Sequence, residues 1–444
     1  MAENQEKNDR MEKVISLAKR RGFVYQGSEI YGGLAGTWDW GPLGVALKNN
    51  VKNLWWRMFV EEREDMYGVD AAILMNAKVW EASGHVAGFS DPLVECAKCK
   101  RRFRADHVEA DKCPECDGKL GEARQFNMMF KTHIGAMEGS AAISYLRPET
   151  AQGIFVNFKN IIDSFHPKLP FGIGQIGKAF RNEITPRDFI FRVRELEQME
   201  VEYFVHPKEW EKYFEMWRET MWRWIEAIGI NKKSVQEHEI EDGERAHYSK
   251  RTIDFEFDYP FGRKELYGLA YRTDYDLRKH SEHSSVSLDY ANEETKEKFI
   301  PHVIEPSLGL DRTILAILLD AYSEDELGEG TRVFLKLKPS IAPVKVAVFP
   351  LLKNKPELVH KAREVFEMIK KEIPQTMWDD NGNVGKRYRR QDEIGTPFCI
   401  TVDFDTLGEN PELKDTITVR NRNTGEQERI SIGGLVDFLK GRLI

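Results

Sequence analysis

Between residues 41 and 60, apolar side chains recur at Leu43, Leu47, Val51, Leu54 and Met58. This three- and four-residue spacing predicts an amphipathic helix, which Pro42 introduces at a position where a missing N–H costs nothing. Such a stripe serves either core packing or a contact between subunits. From residue 140 to 320 the pattern changes to alternating runs such as RTIDFEFDYP, separated by Gly-rich turns. Period-two alternation puts every second side chain on one face, so this region predicts an antiparallel sheet flanked by helices rather than repeated βαβ units. Near residue 340 the stretch KLKPSIAPVKVAVFPL sets two prolines between a charged helical ending and the strand-like run Val344 to Phe349. A helix pattern from Pro356 to Ile373 follows, then turn signals and the strand-like PFCITVDFD. Strand, helix and strand in that order predict a small α/β domain after an α+β body, with the boundary at residues 340 and 341.

Composition agrees with a chain that buries a large core: 444 residues, 41% apolar and 11% aromatic, enough for two or three domains. The charged N-terminal stretch lacks the apolar run of a signal peptide, and nothing approaches the ~18 consecutive apolar residues of a membrane span. A cytoplasmic protein without membrane contact is therefore expected. The formal charge of −8 argues against a surface that coats nucleic acid. Residues 341 to 444, however, hold 17 Lys and Arg against 16 Asp and Glu, so they sit near +1 and the remainder near −9. Within them GKRYRRQDEIGTPF supplies Lys386, Arg387, Arg389 and Arg390, which suit RNA phosphates or a solvated loop equally.

Five cysteines are too few for a disulfide scaffold at this length. Cys96, Cys99, Cys113 and Cys116 form two Cys-x-x-Cys knuckles thirteen residues apart, within a 94–121 insertion. Four thiolates so spaced close a tetrahedron around structural zinc and leave no open position for a substrate water; the alternative is four buried free thiols. Cys399 stands apart, with no chemistry assigned. GIGQIG at residues 172 to 177 matches the Gly-x-Gly-x-x-Gly fingerprint literally, but that fingerprint needs a helix N-terminus after it, and KAFRNEITPRDF contains a proline and no capped helix. With no phosphate loop either, any nucleotide must be held by side chains.

The densest such side chains lie in FRNEITPRDFIFRVRELEQMEVEYF, residues 180 to 204. If FRVRELEQMEVEYF is a strand, alternation puts Arg192, Arg194, Leu196, Gln198 and Glu200 on one face and Phe191, Val193, Met199 and Val201 on the other. The first face suits an extended ligand of phosphate, flat ring and amine, or a solvated ladder of cross-strand ion pairs.

FRNE with FRVRELEQME resembles motif 2 of the class II aminoacyl-tRNA synthetases. EPSLGLDRTILAILL resembles their motif 3, and GTWDWGPLGVALKNNVKNLWW their motif 1, with Pro42 as its marker. More narrowly, YLRPETAQGIFVNF, EASGHVAGF, FNMMFKT, ELYGLAYRTDYDL and VIEPSLGLDR together resemble the homodimeric glycyl-tRNA synthetases. The resemblance implies a class II antiparallel catalytic domain over residues 1–340, carrying the zinc-knuckle insertion, and an anticodon-binding domain over 341–444. The implied reaction is ATP-dependent formation of glycyl-adenylate with magnesium, then transfer to glycine tRNA, in a homodimer.

By that family pattern, Arg181 and Arg312 are the catalytic arginines, gripping phosphate oxygens bidentately. ATP would be held by Arg181, Asn182, Glu183, Phe191, Arg192, Val193, Arg194, Glu195, Leu196, Glu265, Leu266, Gly309, Leu310, Asp311 and Arg312, with Glu265 facing the magnesium. Glycine would be held by Arg104, Glu149, Leu196, Glu197, Gln198, Met199, Glu200, Glu305, Pro306, Ser307, Leu308 and Gly309. Leu196 departs from the family, which carries an adenine-stacking Phe there; the ring term it forgoes is worth ~0.5–1.5 kcal/mol beyond area. Two rival readings stay open: a noncatalytic paralogue acting as an RNA-binding or accessory subunit, and a synthetase for another small amino acid.

Overall fold

A computed structural model describes residues 2–108, 112–135, 143–246, 248–326 and 330–443. The helix introduced by Pro42 is present as α2 (Pro42–Trp56), after α1 (Ala2–Arg21), and is extended by a π-helical turn, Arg57–Glu61. Its buried face is Leu47, Lys48, Val51 and Trp55; Leu43, Leu54 and Met58 are half-buried against the same core. A charged Lys48 inside this stripe is a feature that hydrophobic spacing alone does not convey.

The body is a seven-stranded sheet. In chain order its parts are β1 (Met66–Gly68), α3 (Ala151–Phe165), β2 (Phe171–Phe180), β3 (Glu195–Val205), α4 (Trp210–Ala227) and β4 (Val235–Glu239). Next come β5 (Arg251–Tyr259), β6 (Gly262–Thr273), α5 (Tyr275–Ser284), β7 (His302–Gly309) and α6 (Leu310–Ala321). The strand order is β4-β5-β6-β7-β3-β2-β1; only the edge pair β1 and β2 is parallel.

Alternation sorts the strands into two faces. Met199, Val201 and Tyr203 of β3, Tyr267 and Leu269 of β6, and Ile304 and Leu308 of β7 join the main core with Trp55, Trp217, Trp224 and Leu315. The other face carries Gln198, Glu200 and Glu202, and at its far end Phe204 packs with Phe155 and Phe158 of α3 and Leu277 of α5. α6 is buried almost all round, with Arg312 the half-buried exception in its first turn. Each fully buried Leu or Ile there contributes roughly 1.5–3 kcal/mol, so the helix that carries Arg312 is firmly seated.

Two strand expectations shift. FRVRELEQMEVEYF is not one strand: β3 starts at Glu195. Upstream, Asp188 and Phe189 take left-handed φ of 60° and 58°, and Arg187 bridges to Arg192, so the chain turns where alternation assumed extension. GIGQIG lies inside β2. At Gly177 a side chain would collide with the Arg147 guanidinium, and at Gly172 with Met66, so these glycines permit close packing rather than cradle a phosphate.

The C-terminal unit has β8 (Val346–Pro350), α7 (Pro356–Glu372), β9 (Thr376–Trp378), α8 (Val384–Glu393), β10 (Phe398–Val402), β11 (Thr416–Asn421) and β12 (Gln427–Ser431). Its sheet runs β9-β8-β10-β11-β12, parallel across the first three strands and antiparallel after. Leu358, Ala362, Val365 and Ile369 of α7 close its core. None of the described helices is long and apolar enough to cross a membrane.

Candidate active site

The polar face of the sheet presents side chains in rows set by strand register. One row runs Gln175, Glu200, Ser307, Gly268 and Asp254 across β2, β3, β7, β6 and β5. Two adjoining cavities open on it. The first is lined by Arg181, Glu183, Phe191, Arg192, Val193, Leu196, Gln198, Glu265, Leu266, Ser307, Gly309, Asp311 and Arg312. The second shares Arg181, Gln198, Glu265 and Ser307 with it and adds Glu149, Glu200, Glu305, Tyr248 and Asp254.

The first cavity is an arginine cleft. Arg181 donates from Nε to the Pro148 carbonyl at 3.0 Å, which leaves its two terminal nitrogens for a ligand. Arg312 donates to Glu265 Oε2 at 3.0 Å and lies 4.5 Å over the Phe191 ring. The Glu265 side chain is 48% exposed; desolvation in the cleft opposes its ionisation, but Arg312, with Arg181 and Arg192 behind it, holds the carboxyl below the ordinary range. Arg192 stands 4.0 Å from Glu183.

The second cavity is an acid pocket built around one buried cation. Arg272, 1% exposed, donates to both oxygens of Asp276 at 2.9 and 2.8 Å and to Glu305 Oε1 at 2.7 Å. Its guanidinium lies 3.8 Å from the Tyr248 ring. Glu200 accepts from Ser307 and Gln198, both at 2.8 Å, and from the backbone N–H and hydroxyl of Thr150. Glu149 accepts from Gln152 at 2.9 Å and faces His85 at 3.4 Å. Burial opposes ionisation of Glu149, yet His85 and Arg272 hold it well below the usual carboxylate range. Glu200, buried beside Glu149, is pushed the other way. Such divergent pressures on neighbouring carboxyls make this a candidate functional pocket.

Several expected side chains turn elsewhere. Residues 196 to 200 cannot all face one pocket, because a strand alternates. Met199 and Leu308 enter the core on the opposite face. Glu197 meets Lys48 at 2.9 Å and Lys52 at 3.0 Å. Glu195 pairs with Lys178 at 2.8 Å, and Arg194 donates to the Ala35 and Glu183 carbonyls, tying the 28–37 loop to the turn that precedes β3. Leu310 is buried in α6; Pro306 is buried, and neither it nor Asn182 lines either of these two cavities. Arg104 is held by Asp91 at 2.6 Å and Asp106 at 2.7 Å. Sequence reasoning missed Arg272, Asp276, Gln152, His85 and Tyr248. A signal existed for the first two: an arginine within the apolar LAYRT run, with an aspartate four residues on.

In the insertion, the four knuckle sulfurs lie within 4.8 Å of one another, with Cys96–Cys116 at 3.5 Å and Cys99–Cys113 at 3.6 Å. Zinc–sulfur bonds of about 2.3 Å would set sulfurs about 3.8 Å apart, so the group fits a structural metal. A Cβ at Gly118 would stand 2.9 Å from the Cys96 sulfur and 3.3 Å from that of Cys116, which explains the glycine.

Comparison with known proteins matches residues 138–321 to the tRNA synthetase class II core domain (G, H, P, S and T), and residues 345–442 to the anticodon binding domain. The glycine--tRNA ligase of Caldanaerobacter subterraneus subsp. tengcongensis is 50% identical, over 98% of this chain and 98% of that protein. The chain belongs to the glycine-tRNA ligase family. The glycine--tRNA ligase of Acetivibrio thermocellus is also 50% identical, over 97% of this chain and 98% of its own, and that of Bacillus anthracis 49%, over 98% and 99%. The family's class II core thus covers both cavities apart from the neighbouring insertion, and its anticodon unit covers α8. There the expected basic cluster divides. Arg387 is 1% exposed and donates to the Pro350, Asp380 and Gly382 carbonyls, so it is structural; Arg390 is paired with Asp379 at 2.7 Å. Lys386 and Arg389 remain on the surface.

Proposed function

We propose that the arginine cleft binds ATP and the acid pocket binds glycine, so that the two reactants meet where the cavities join, at Arg181, Gln198 and Ser307. The enzyme attaches glycine to glycine tRNA in an ATP-dependent reaction through glycyl-adenylate. Attack of the glycine carboxylate on the α-phosphorus expels pyrophosphate and needs no protein nucleophile. Catalysis rests on positioning and on neutralising charge that grows on phosphate oxygens. Arg181, with its terminal nitrogens uncommitted, holds the α-phosphate and the carboxylate. Arg312 and Arg192 take the polyphosphate, and Glu183 accepts from the adenine amino group. Phe191 supplies the aromatic wall that Leu196 lacks.

Glu265 would hold magnesium, with Asp254 beside it. Burial and the nearness of Glu265 and Glu256 raise Asp254 to about 7, a crowding of carboxyls that a dication relieves. The metal supplies charge neutralisation on the triphosphate. In the acid pocket Glu149, Glu200 and Glu305 surround the ammonium, with Ser307 fixing Glu200. Carboxyls packed this closely around the α-carbon reject an added methyl sterically, which an apolar pocket does weakly, at ~1–3 kcal/mol per methylene.

Residues 341–444 would engage the tRNA, with Lys386 and Arg389 on phosphates. A homodimer through the 25–45 region is supported by its exposed apolar side chains: Ile30 is 88% exposed, Tyr31 86% and Leu34 56%, with Tyr25 and Val45 nearby. The observation that carries the reading is the junction of the two cavities at Arg181. Pyrophosphate exchange with each amino acid in turn tests it: exchange with glycine alone is expected. Exchange with none would leave a noncatalytic paralogue, and comparable exchange with alanine would refute the exclusion mechanism.

A further inference from the structure

Behind the acid pocket, two residues along β3 from Glu200, lies a carboxyl that the roles above leave unused. Glu202 is fully buried, and neither of its carboxyl oxygens has a hydrogen-bond partner. The register that pairs Glu200 with Ser307 and Tyr203 with Ile304 sets Glu202 opposite Glu305, between β3 and β7. Glu305 Oε1 is already taken by Arg272.

Titratable groups reach this pair from every side: Glu200 along β3, Arg272 from β6, Asp276 from α5 and Glu149 ahead of α3, with the Tyr248 phenol, held neutral by burial, facing Glu305 from the 240–250 loop. His280 of α5 is pushed towards its neutral form by burial. Arg272 is largely answered by its two-pronged grip on Asp276. Its positive charge cannot also offset two further carboxylates this deeply buried, where an isolated anion is costly.

We infer that Glu202 and Glu305 share a proton before glycine arrives, and that the glycine ammonium displaces it, so that glycine binding is coupled to proton release. Within the acid pocket the exchange conserves charge: one proton leaves the carboxyl pair for solvent and one ammonium enters, while the glycine carboxylate lies towards Arg181 and no covalent bond to carbon or phosphorus changes. Burial is the main pressure on both groups. It lifts Glu202 well above its ordinary value and Glu305 to about 8, with Glu200 and Glu149 adding to the rise at Glu305 and Arg272 opposing it. A raised value means that the proton is held at neutral pH and lost above about 8. Glycine must therefore displace it at pH 7 and meets an already ionised pair in more alkaline solution. The proton belongs to the pair rather than to either residue.

This inference rests on the acid pocket being the glycine site, and one titration separates the two. The intact protein is titrated with glycine at pH 7 in buffers of low and high ionisation enthalpy. About one proton released per glycine is expected, and glycine affinity should rise about tenfold from pH 6 to pH 7. Glu202→Gln leaves Glu305 alone with Arg272, so the release should fall well below one proton per glycine and the pH dependence of the glycine KM should weaken; Glu202→Met should do the same. Glycine binding with buffer-independent heat in the native protein would overturn the inference, as would unchanged release in a folded Glu202→Gln. If neither variant folds, the native titration decides. Absence of any glycine binding or activation would instead refute the glycine reading itself.

Discussion

Replacing Lys48 by Met removes the cation at the centre of a buried cluster that joins α2, β3 and α6. Lys48 Nζ stands 2.9 Å from Glu197 Oε2 and 3.4 Å from Asp311 Oδ1, and the three side chains are only 6%, 12% and 9% exposed. Removing one partner of a buried pair costs ~3–5 kcal/mol, because the other charge stays behind. Two contacts soften the loss: Lys52 remains 3.0 Å from Glu197 Oε1, and Asp311 Oδ2 keeps the Glu197 N–H at 2.7 Å. The low end, about 3 kcal/mol, is therefore expected in urea unfolding followed by tryptophan fluorescence. Lys48→Met combined with Asp311→Asn should recover about 1 kcal/mol or more, since contacting groups couple by ~0.5–3 kcal/mol.

The same cluster makes a prediction about acid. Burial favours the neutral form of Glu197, but Lys48 and Lys52 hold the carboxyl below its ordinary value. Its contribution to stability is thus present above the unfolded value of about 4.3 and is lost as pH falls through the folded one. Lys48→Met should shrink that acid-side loss. Because Asp311 directly precedes Arg312, the KM for ATP should rise more than that for glycine. A variant within about 0.5 kcal/mol of the native protein, or strict additivity with Asp311→Asn, would refute the idea that this cluster braces the site.

Other outcomes follow from individual contacts. Arg181→Lys or Arg312→Lys should lower pyrophosphate exchange by about 10²–10³-fold, the loss typical of one preorganised donor; near-native exchange would remove that residue from the phosphate. Leu196→Phe should hold or lower the KM for ATP, because Phe191 already walls the cleft, whereas collapse of activity would show that Leu196 does not face adenine. Metal analysis should find one zinc per chain, and chelation should loosen the 94–121 insertion, read by proteolysis; a metal-free protein with an unchanged digestion pattern would count against it. Arg389→Ala should weaken tRNA binding and reduce its salt dependence, while Arg387→Ala should instead destabilise the C-terminal unit, since the Pro350, Asp380 and Gly382 carbonyls lose their donor. Equal tRNA defects with intact stability would reverse that division.

Much of this protein was legible as local pattern. Alternation from Gln198 onward put Gln198 and Glu200 on one face and Met199 and Val201 on the other, because burial of one sheet face enforces a period of two. Pro42, the Cys-x-x-Cys pairs and the Gly309-x-x-Arg312 that opens α6 each carry a short-range geometric requirement that spacing alone expresses. Resemblance pointed to the other candidate binding residues but could not orient them. Glu197, Glu195, Arg194 and Arg104 carry suitable charges, yet three of them are committed to ion pairs and Arg194 to backbone carbonyls.

What only the tertiary structure decided is which charges meet. Arg272 reads in sequence as an oddity in an apolar strand, and becomes the centre of the acid pocket only when β7, α3 and α5 bring Glu305, Glu149 and Asp276 around it. Lys48 and Asp311 are 263 residues apart along the chain and share one buried ion cluster. The physical reason is common to both: the periodicity of a strand or helix reports which way a side chain points, but the protonation and partner of a buried charge depend on neighbours from other elements.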